Sequence, residues 1–350
     1  MGDQVLDRRS LGRATLERQL LIRRERGDVV DTVERIGGLN AQQANDPYLA
    51  LASRLDGFQL DDLTTAIEDR ALIRSIMVRG TQHLVSVADY RRLRPVLTPL
   101  FTRMQRNTFG RRTEGVDLDA LVAEAREILA AGDQLRPDLG RLLAESRPGS
   151  DANALGWSIQ YLLPVVHPAP CGIWDTKGST PLALAESIVG EFDEPDPRDL
   201  VRSYLGAFGP ATVSDLRAWS GAARLAEVVK DMDDELAVFR DEKGRAVFDL
   251  PDAPRPDRDT PVPVRLLAGF DNVLLAYHDR GRFMSDEVRK IVCVGDLVEQ
   301  TVLVDGVLTV EPFAPLSHDD TEAVTEEGAR LLELITPDAT SHDVRLVKAI

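Results

Sequence analysis

Asn40 and Gln42 stand two residues apart in the segment Gly38-Leu39-Asn40-Ala41-Gln42, and each carries a neutral amide. An amide offers a carbonyl acceptor and an NH2 donor, and neither titrates near neutral pH. Two of them at i and i+2 can hold one water between them if the backbone there leaves the helix. Their carbonyl oxygens accept the water's hydrogens and aim its lone pair. A water held beside an electrophilic carbon is a nucleophile already positioned for attack. The same pair can also cap or join helices, and spacing alone favours that plainer use.

The other reactive side chains narrow the chemistry. Only Lys177, Lys230, Lys243, Lys290 and Lys348 accompany the arginines that make up the rest of the 42 basic residues. Guanidinium groups do not act as amine nucleophiles at neutral pH, so Schiff-base catalysis is not expected. Cys171 and Cys293 lie far apart without a CxxC partner, and the five histidines show no HExxH or similar ligand spacing, so no metal site is expected. Neither a phosphate-binding P-loop nor GxGxxG occurs, which leaves no cofactor to expect.

The net charge of −16 argues against a nucleic-acid partner, but its distribution argues otherwise. Residues 91–112 contain Arg91, Arg92, Arg94, Arg103, Arg106, Arg111 and Arg112 and no acid. Arginines 8, 9, 13, 18, 23, 24 and 26 form a second cluster, interleaved with Glu17 and Glu25. An arginine-rich face on an acidic body can grip phosphates, although a solvated helix face explains a charge run equally well. Arg79, at a predicted turn, is a further candidate for phosphate or the minor groove.

These residues need elements to position them. A chain of 350 residues fits two to four domains. Apolar spacing predicts helices over 10–25 and 28–43, another from Asp46-Pro47, and a fourth over 60–70. Two short apolar runs around Arg79-Gly80 then read as a hairpin. Helices followed by such a hairpin are the order of a winged helix-turn-helix. The order recurs faintly, with helices over 117–146 and 154–163 and a strand-like stretch over 165–174. It recurs clearly over 199–250, where helices at 199–208, 212–220 and 222–232 precede two strands around Lys243-Gly244. The proline-rich stretch 251–263 reads as a linker. Strand-rich segments follow, then a helix at 320–335. An α+β chain is therefore expected, with three tandem winged-helix units at 1–92, 93–192 and 193–256 and a β-barrel-like domain at 257–350. No apolar run approaches the length of a membrane span and no signal-peptide core is present, so a cytoplasmic monomer is expected.

A family resemblance joins these signals. The chain resembles the winged-helix DNA glycosylases of the AlkZ type, which carry a Gln-hydrophobic-Gln motif in a segment near Gly-Leu-Gln-Ala-Gln. Here that segment is Gly38–Gln42, followed by Asp46-Pro47-Tyr48-Leu49-Ala50-Leu51. The strand Arg79-Gly80-Thr81-Gln82-His83-Leu84-Val85 matches the family's Arg-Gly-Thr-x-His-Leu-Val. Further similar stretches are Gly172-Ile173-Trp174, Leu205–Thr212, Trp219-Ser220, Leu266–Asp271, Tyr277–Arg280 and Pro312–Leu316. The matches run in order over about residues 10–335.

The resemblance implies a monofunctional enzyme that removes bulky alkylated purines from double-stranded DNA, often in self-resistance to a DNA-alkylating natural product. N7- or N3-alkylation puts positive charge on the purine and makes it a good leaving group, so no strong base is obligatory. A held water and support for a charged sugar suffice. Asn40 and Gln42 are then the candidate catalytic pair. Asn40 departs from the family's first Gln and is shorter by one methylene, which would shift the water by roughly 1.5 Å, enough to affect rate.

His83 reads as a satisfied polar group on the first wing, with support of the site as the sharper reading. Asp279 and Arg280 read as a fixed pair bracing the C-terminal domain, with a DNA contact as the sharper reading. Phe101, Phe109 and the three tryptophans read as core. Two other functions fit the same elements: a winged-helix transcription regulator, and a catalytically silent adduct binder. The first is weakened by the acidic helix at 60–72, a poor reader of a DNA groove.

Overall fold

The computed structural model describes residues 4–295, 297–309 and 316–345. Helix Arg8–Arg18 opens the chain, with Asp7 accepting from the Ser10 amide at 2.7 Å. Leu20, at φ 56°, turns the backbone left-handed and ends the predicted helix early. Helix Val29–Arg35 also stops short of its predicted end. Gly37 and Gly38 follow it at φ 80° and 79°, and a Cβ on Gly38 would lie 2.9 Å from Val85 Cγ1. Only glycine fits there. Leu39–Asn40 therefore leaves the helix and becomes a strand.

That strand edges a three-stranded sheet whose order is Leu39–Asn40, Gln82–Ser86, Leu72–Ile76. Leu39 pairs with Leu84 and Asn40 with His83, while His83 also pairs with Ser75. The predicted hairpin is present, with Arg79 and Gly80 both left-handed at φ 58° and 70°. Helices Asp46–Ala52 and Leu60–Glu68 pack behind it around Leu39, Tyr48, Leu51, Leu63 and Leu84.

The arginine-rich segment forms two helices, Val87–Val96 and Thr98–Phe109. The helical stretch expected over 117–146 is two helices, Leu118–Ala131 and Arg136–Glu145, separated at Gly132. With Ala152–Leu162 they enclose a core of Leu121, Leu139, Leu155 and Ile159. A small sheet joins Gln134–Leu135, Pro181–Leu184 and Val165–Val166. Next come helices Pro197–Phe208, Val213–Ser220 and Leu225–Lys230 and the expected hairpin Ala237–Asp241 with Ala246–Asp249. Val5–Leu6 adds to that hairpin in parallel, so the N-terminus is sewn to a unit more than two hundred residues away.

Residues 251–263 contain no helix or strand, as their prolines imply, yet they are tied down. Arg18 donates to Pro254 O, Arg13 donates to Thr260 O, and Arg258 pairs with Asp7. Two fully buried ion pairs hold distant segments together. Arg18 forks onto Asp249 at 2.7 and 2.8 Å, and Arg54 onto Asp271 at 2.8 Å twice. Bidentate geometry matches each carboxylate, which helps make such charges tolerable in a core, although Arg54 Nε is left without a partner among the described residues.

The expected barrel is corrected. Among the described residues, Arg265–Leu267, Thr301–Val304 and Val307–Thr309 form an open antiparallel sheet. Cys293–Val294 and Leu297–Val298 form a separate hairpin. Strands of two to four residues are too short and too few to close. Helix His318–Ile335 closes the fold. Pro312–Pro315 of the resembling segment lie outside the described residues. No described helix is long and apolar enough to cross a membrane.

Candidate functional site

The segment carrying Asn40 and Gln42 rests on a rigid support. Asn272 Nδ2 donates to Ile36 O at 3.1 Å and to Gly38 O at 2.7 Å, and Gln19 Nε2 donates to Ile36 O at 3.0 Å. Beyond Asn40 the chain leaves the sheet and bends through residues 42–45 before helix Asp46–Ala52 begins. The condition for two cooperating amides, a backbone outside the helix, is met. Asn40 is buried at 6% exposure, while Gln42 is exposed. Asn40 Oδ1 accepts from the Gln42 amide N–H at 3.0 Å, and Gln42 Oε1 accepts from the Gln82 N–H at 3.0 Å. Each carbonyl oxygen is thus oriented by one backbone donor and keeps a second lone pair.

Arg74, on the strand Leu72–Ile76, and residues 167–175, from the stretch expected to be the second unit, close one side of this segment. Arg74 Nε donates to Ala41 O at 2.9 Å, and the Asp175 N–H donates to Asn45 Oδ1 at 2.8 Å. Trp174 meets Tyr48 edge-on at 5.5 Å. His167 Nδ1 donates to Pro181 O at 3.0 Å, which leaves Nε2 to accept from Gln82 Nε2 at 2.9 Å. Burial and then the Arg74 charge push the His167 pKa down to about 4, so it stays a neutral relay between the two units. The one available signal was the strand-like run before Pro168, which ends on this histidine.

His83 lies directly across from Asn40, is 4% exposed, and donates from Nδ1 to Thr81 O at 2.9 Å. Burial, then Arg79, pushes its pKa down to about 3. Asp46 is buried just after the bend; its Oδ2 has no partner among the described residues, and burial followed by the Asp271 charge pushes its pKa up to about 7.

The candidate arginines separate by what they already hold. Arg94, at 2% exposure, donates to Thr98 Oγ1 and Tyr161 O and stacks 4.3 Å from the Phe101 ring centroid. Its role as a phosphate ligand is corrected, because its charge faces inward. Arg91 binds Glu191 O and Asp193, Arg92 binds Asp89, Arg103 binds Gly221 O, and Arg112 binds Asp151. Arg106 and Arg111 are exposed and have no polar partner among the described residues.

Arg79 is half-buried and donates to Trp219 O at 2.7 Å; burial and the nearby Arg280 push its pKa down to about 10. The expected Asp279–Arg280 pair is not formed. Asp279 takes Lys243 at 3.1 Å and Arg245 at 3.5 Å, whereas Arg280 donates to Cys293 Sγ at 2.8 Å. Phe101, Phe109 and Trp219 are core as expected, while Trp157 is half-buried beneath Arg136, 3.5 Å from its ring centroid. Helix Leu60–Glu68 exposes Asp61, Asp62 and Glu68, an unsuitable face for a DNA groove.

Comparison with known proteins bears on the fold and the family. The family model described as DNA glycosylase AlkZ-like matches residues 33–334. An interstrand DNA cross-link repair glycosylase of Streptomyces sahachiroi is 27% identical, with 90% of this chain and 93% of the relative aligned. The solved structure of the Streptomyces sahachiroi DNA glycosylase AlkZ superposes with a TM-score of 0.78 at 22% identity, covering 95% of this chain and 97% of that one. With a match over most of its length, the chain belongs to the AlkZ-like DNA glycosylase family.

Proposed function

We propose that this protein is a monofunctional DNA glycosylase that hydrolyses the N-glycosidic bond of bulky N7-alkylguanine or N3-alkyladenine adducts. Crosslinks are included, as the name of its Streptomyces sahachiroi relative suggests. Self-resistance to a DNA-alkylating antibiotic is the setting this chemistry fits. The observation that carries the reading is the pair Asn40 and Gln42 on a bent segment, each carbonyl oxygen oriented by a backbone N–H. In this reading the two amides hold the attacking water while the charged purine leaves with its electron pair, and no lysine amine takes part.

Arg106 and Arg111 take phosphates from the second unit's side. Arg79 and Arg280, neither with a carboxylate partner among the described residues, do so beside the catalytic strand. We read the helix-and-hairpin groups at 1–92, 93–192 and 193–256 as three winged helices lining the DNA path and the protein as a monomer.

The test is base release from duplexes carrying a simple or a bulky N7-alkylguanine, scored by heat-and-base cleavage of the abasic product. Abasic sites that depend on the adduct and disappear with Gln42→Ala are expected. Binding of adducted DNA with no base released would overturn the reading in favour of a silent binder.

A further inference from the structure

His83 and His167 are both buried histidines beside the same segment, and they differ in one respect. His167 uses both ring nitrogens, Nδ1 toward Pro181 O and Nε2 toward Gln82. His83 uses one: Nδ1–H is spent on Thr81 O, and Nε2 has no partner among the described residues. An acceptor on a buried ring that still touches solvent calls for an explanation.

Its surroundings supply one. Asn40, His83 and Ser75 are directly paired across three strands, so their side chains project from one face of the sheet. Ser75 turns its hydroxyl to Val165 O at 2.6 Å and does not compete for the imidazole. Asn40 Nδ2 likewise has no partner among the described residues, and the amide and the imidazole make no hydrogen bond to each other. An unused donor and an unused acceptor thus face the same space, and a water molecule satisfies both.

We propose that His83 Nε2 is a third ligand of the nucleophilic water, accepting one of its hydrogens while Gln42 Oε1 accepts the other and Asn40 Nδ2 donates to its oxygen, which leaves one lone pair for attack. The proposal rests on the glycosylase reading above. As the C1′–N9 bond breaks, its electron pair goes to the purine and cancels the charge left by alkylation. The water oxygen bonds to C1′, and the resulting oxonium is a far stronger acid than an imidazolium. Its proton passes to Nε2 and from there to bulk water. A weakly basic imidazole suffices for that step, and it remains an acceptor throughout the neutral range. Burial and Arg79 keep it in that state, and Tyr90, behind Ser75, adds no charge because burial raises its phenol.

The decisive comparison is His83→Gln with His83→Met, nearly equal in size but differing in the acceptor. Single-turnover base release from an N7-alkylguanine duplex is measured with DNA affinity and thermal melting alongside. His83→Met is expected to lose about a hundredfold in rate with DNA affinity unchanged, and His83→Gln to recover most of it. Equal rates for His83→Met and wild type overturn the role of His83 and leave the glycosylase reading intact. A wild type that releases no base overturns both. Should neither variant fold, nitrogen NMR of the wild-type histidines decides. An Nδ1-protonated ring that does not titrate down to pH 5 supports the proposal, and a ring protonated on Nε2, or titrating as an ordinary histidine, overturns it.

Discussion

Asp46→Asn tests how a buried acid is carried by this fold. In the folded protein the Asp46 carboxyl sits at 7% exposure with Oδ2 unpartnered among the described residues, and burial followed by Asp271 pushes its pKa from 3.8 up to about 7. An acid whose folded pKa is raised holds its proton more tightly when folded. Stability is therefore greatest below the unfolded value, falls as pH climbs through the window from about 4 to 7, and levels off above it. Each pH unit in that window is worth about 1.4 kcal/mol, so the loss approaches about 4 kcal/mol, a ceiling reached only if no water enters beside the ionised carboxylate. Asparagine keeps the shape and cannot ionise. Urea unfolding of both proteins at pH 4, 5.5, 7 and 8.5 should show Asp46→Asn gaining on wild type as pH rises, then holding its lead. A stability difference that is flat or shrinks with pH would refute the reasoning, because it would mean that the carboxylate finds solvent or a cation.

Four further outcomes follow from the geometry. Gln42→Ala should lower single-turnover base release about a hundredfold while DNA affinity holds, since it removes the exposed half of the proposed water site. Arg106→Ala and Arg111→Ala should each lower the slope of log affinity against log salt by about 1, whereas Arg94→Gln should leave that slope alone and lower the melting temperature. Arg18→Met should cost about 1.5–3 kcal/mol in denaturant unfolding, because it removes the two-pronged partner of the Asp249 carboxylate and leaves that buried group to Arg255 and the Leu250 N–H. Gly38→Ala should be destabilising beyond a simple propensity cost, read as a lower unfolding midpoint, because φ 79° and the 2.9 Å approach to Val85 both forbid a side chain.

Much of the fold was legible because it depends on local pattern. The Arg79-Gly80 turn and the Lys243-Gly244 turn each sat between apolar runs, and both became hairpins. The end of the second helix was misread because apolar spacing continued through Leu39, although Gly37-Gly38 already marked a stop. The candidate pair Asn40 and Gln42 was visible through family likeness, and the backbone there lies outside the helix. What surrounds it was not visible. Arg74 reaches the segment from the strand Leu72–Ile76 and His167 from beyond that sheet, and a single sequence does not show such pairings. Arginines posed the opposite difficulty: Arg94 and Arg106 look alike in a charge run, and only the packing of Tyr161 and Phe101 separates a buried brace from a free cation.

The ties between Arg18 and Asp249, and between Val5–Leu6 and the strand at 237–241, set a timetable for synthesis. Arg18 and Asp249 are 231 residues apart. At roughly 5–20 residues per second, the first helix leaves the ribosome tens of seconds before its counter-charge exists. Throughout that wait, burying its guanidinium is unfavourable, so the helix stays solvated and the first unit stays incomplete. A nascent chain halted near residue 200 should therefore be open to protease around residues 5–20, and one extended past residue 260 should be protected there.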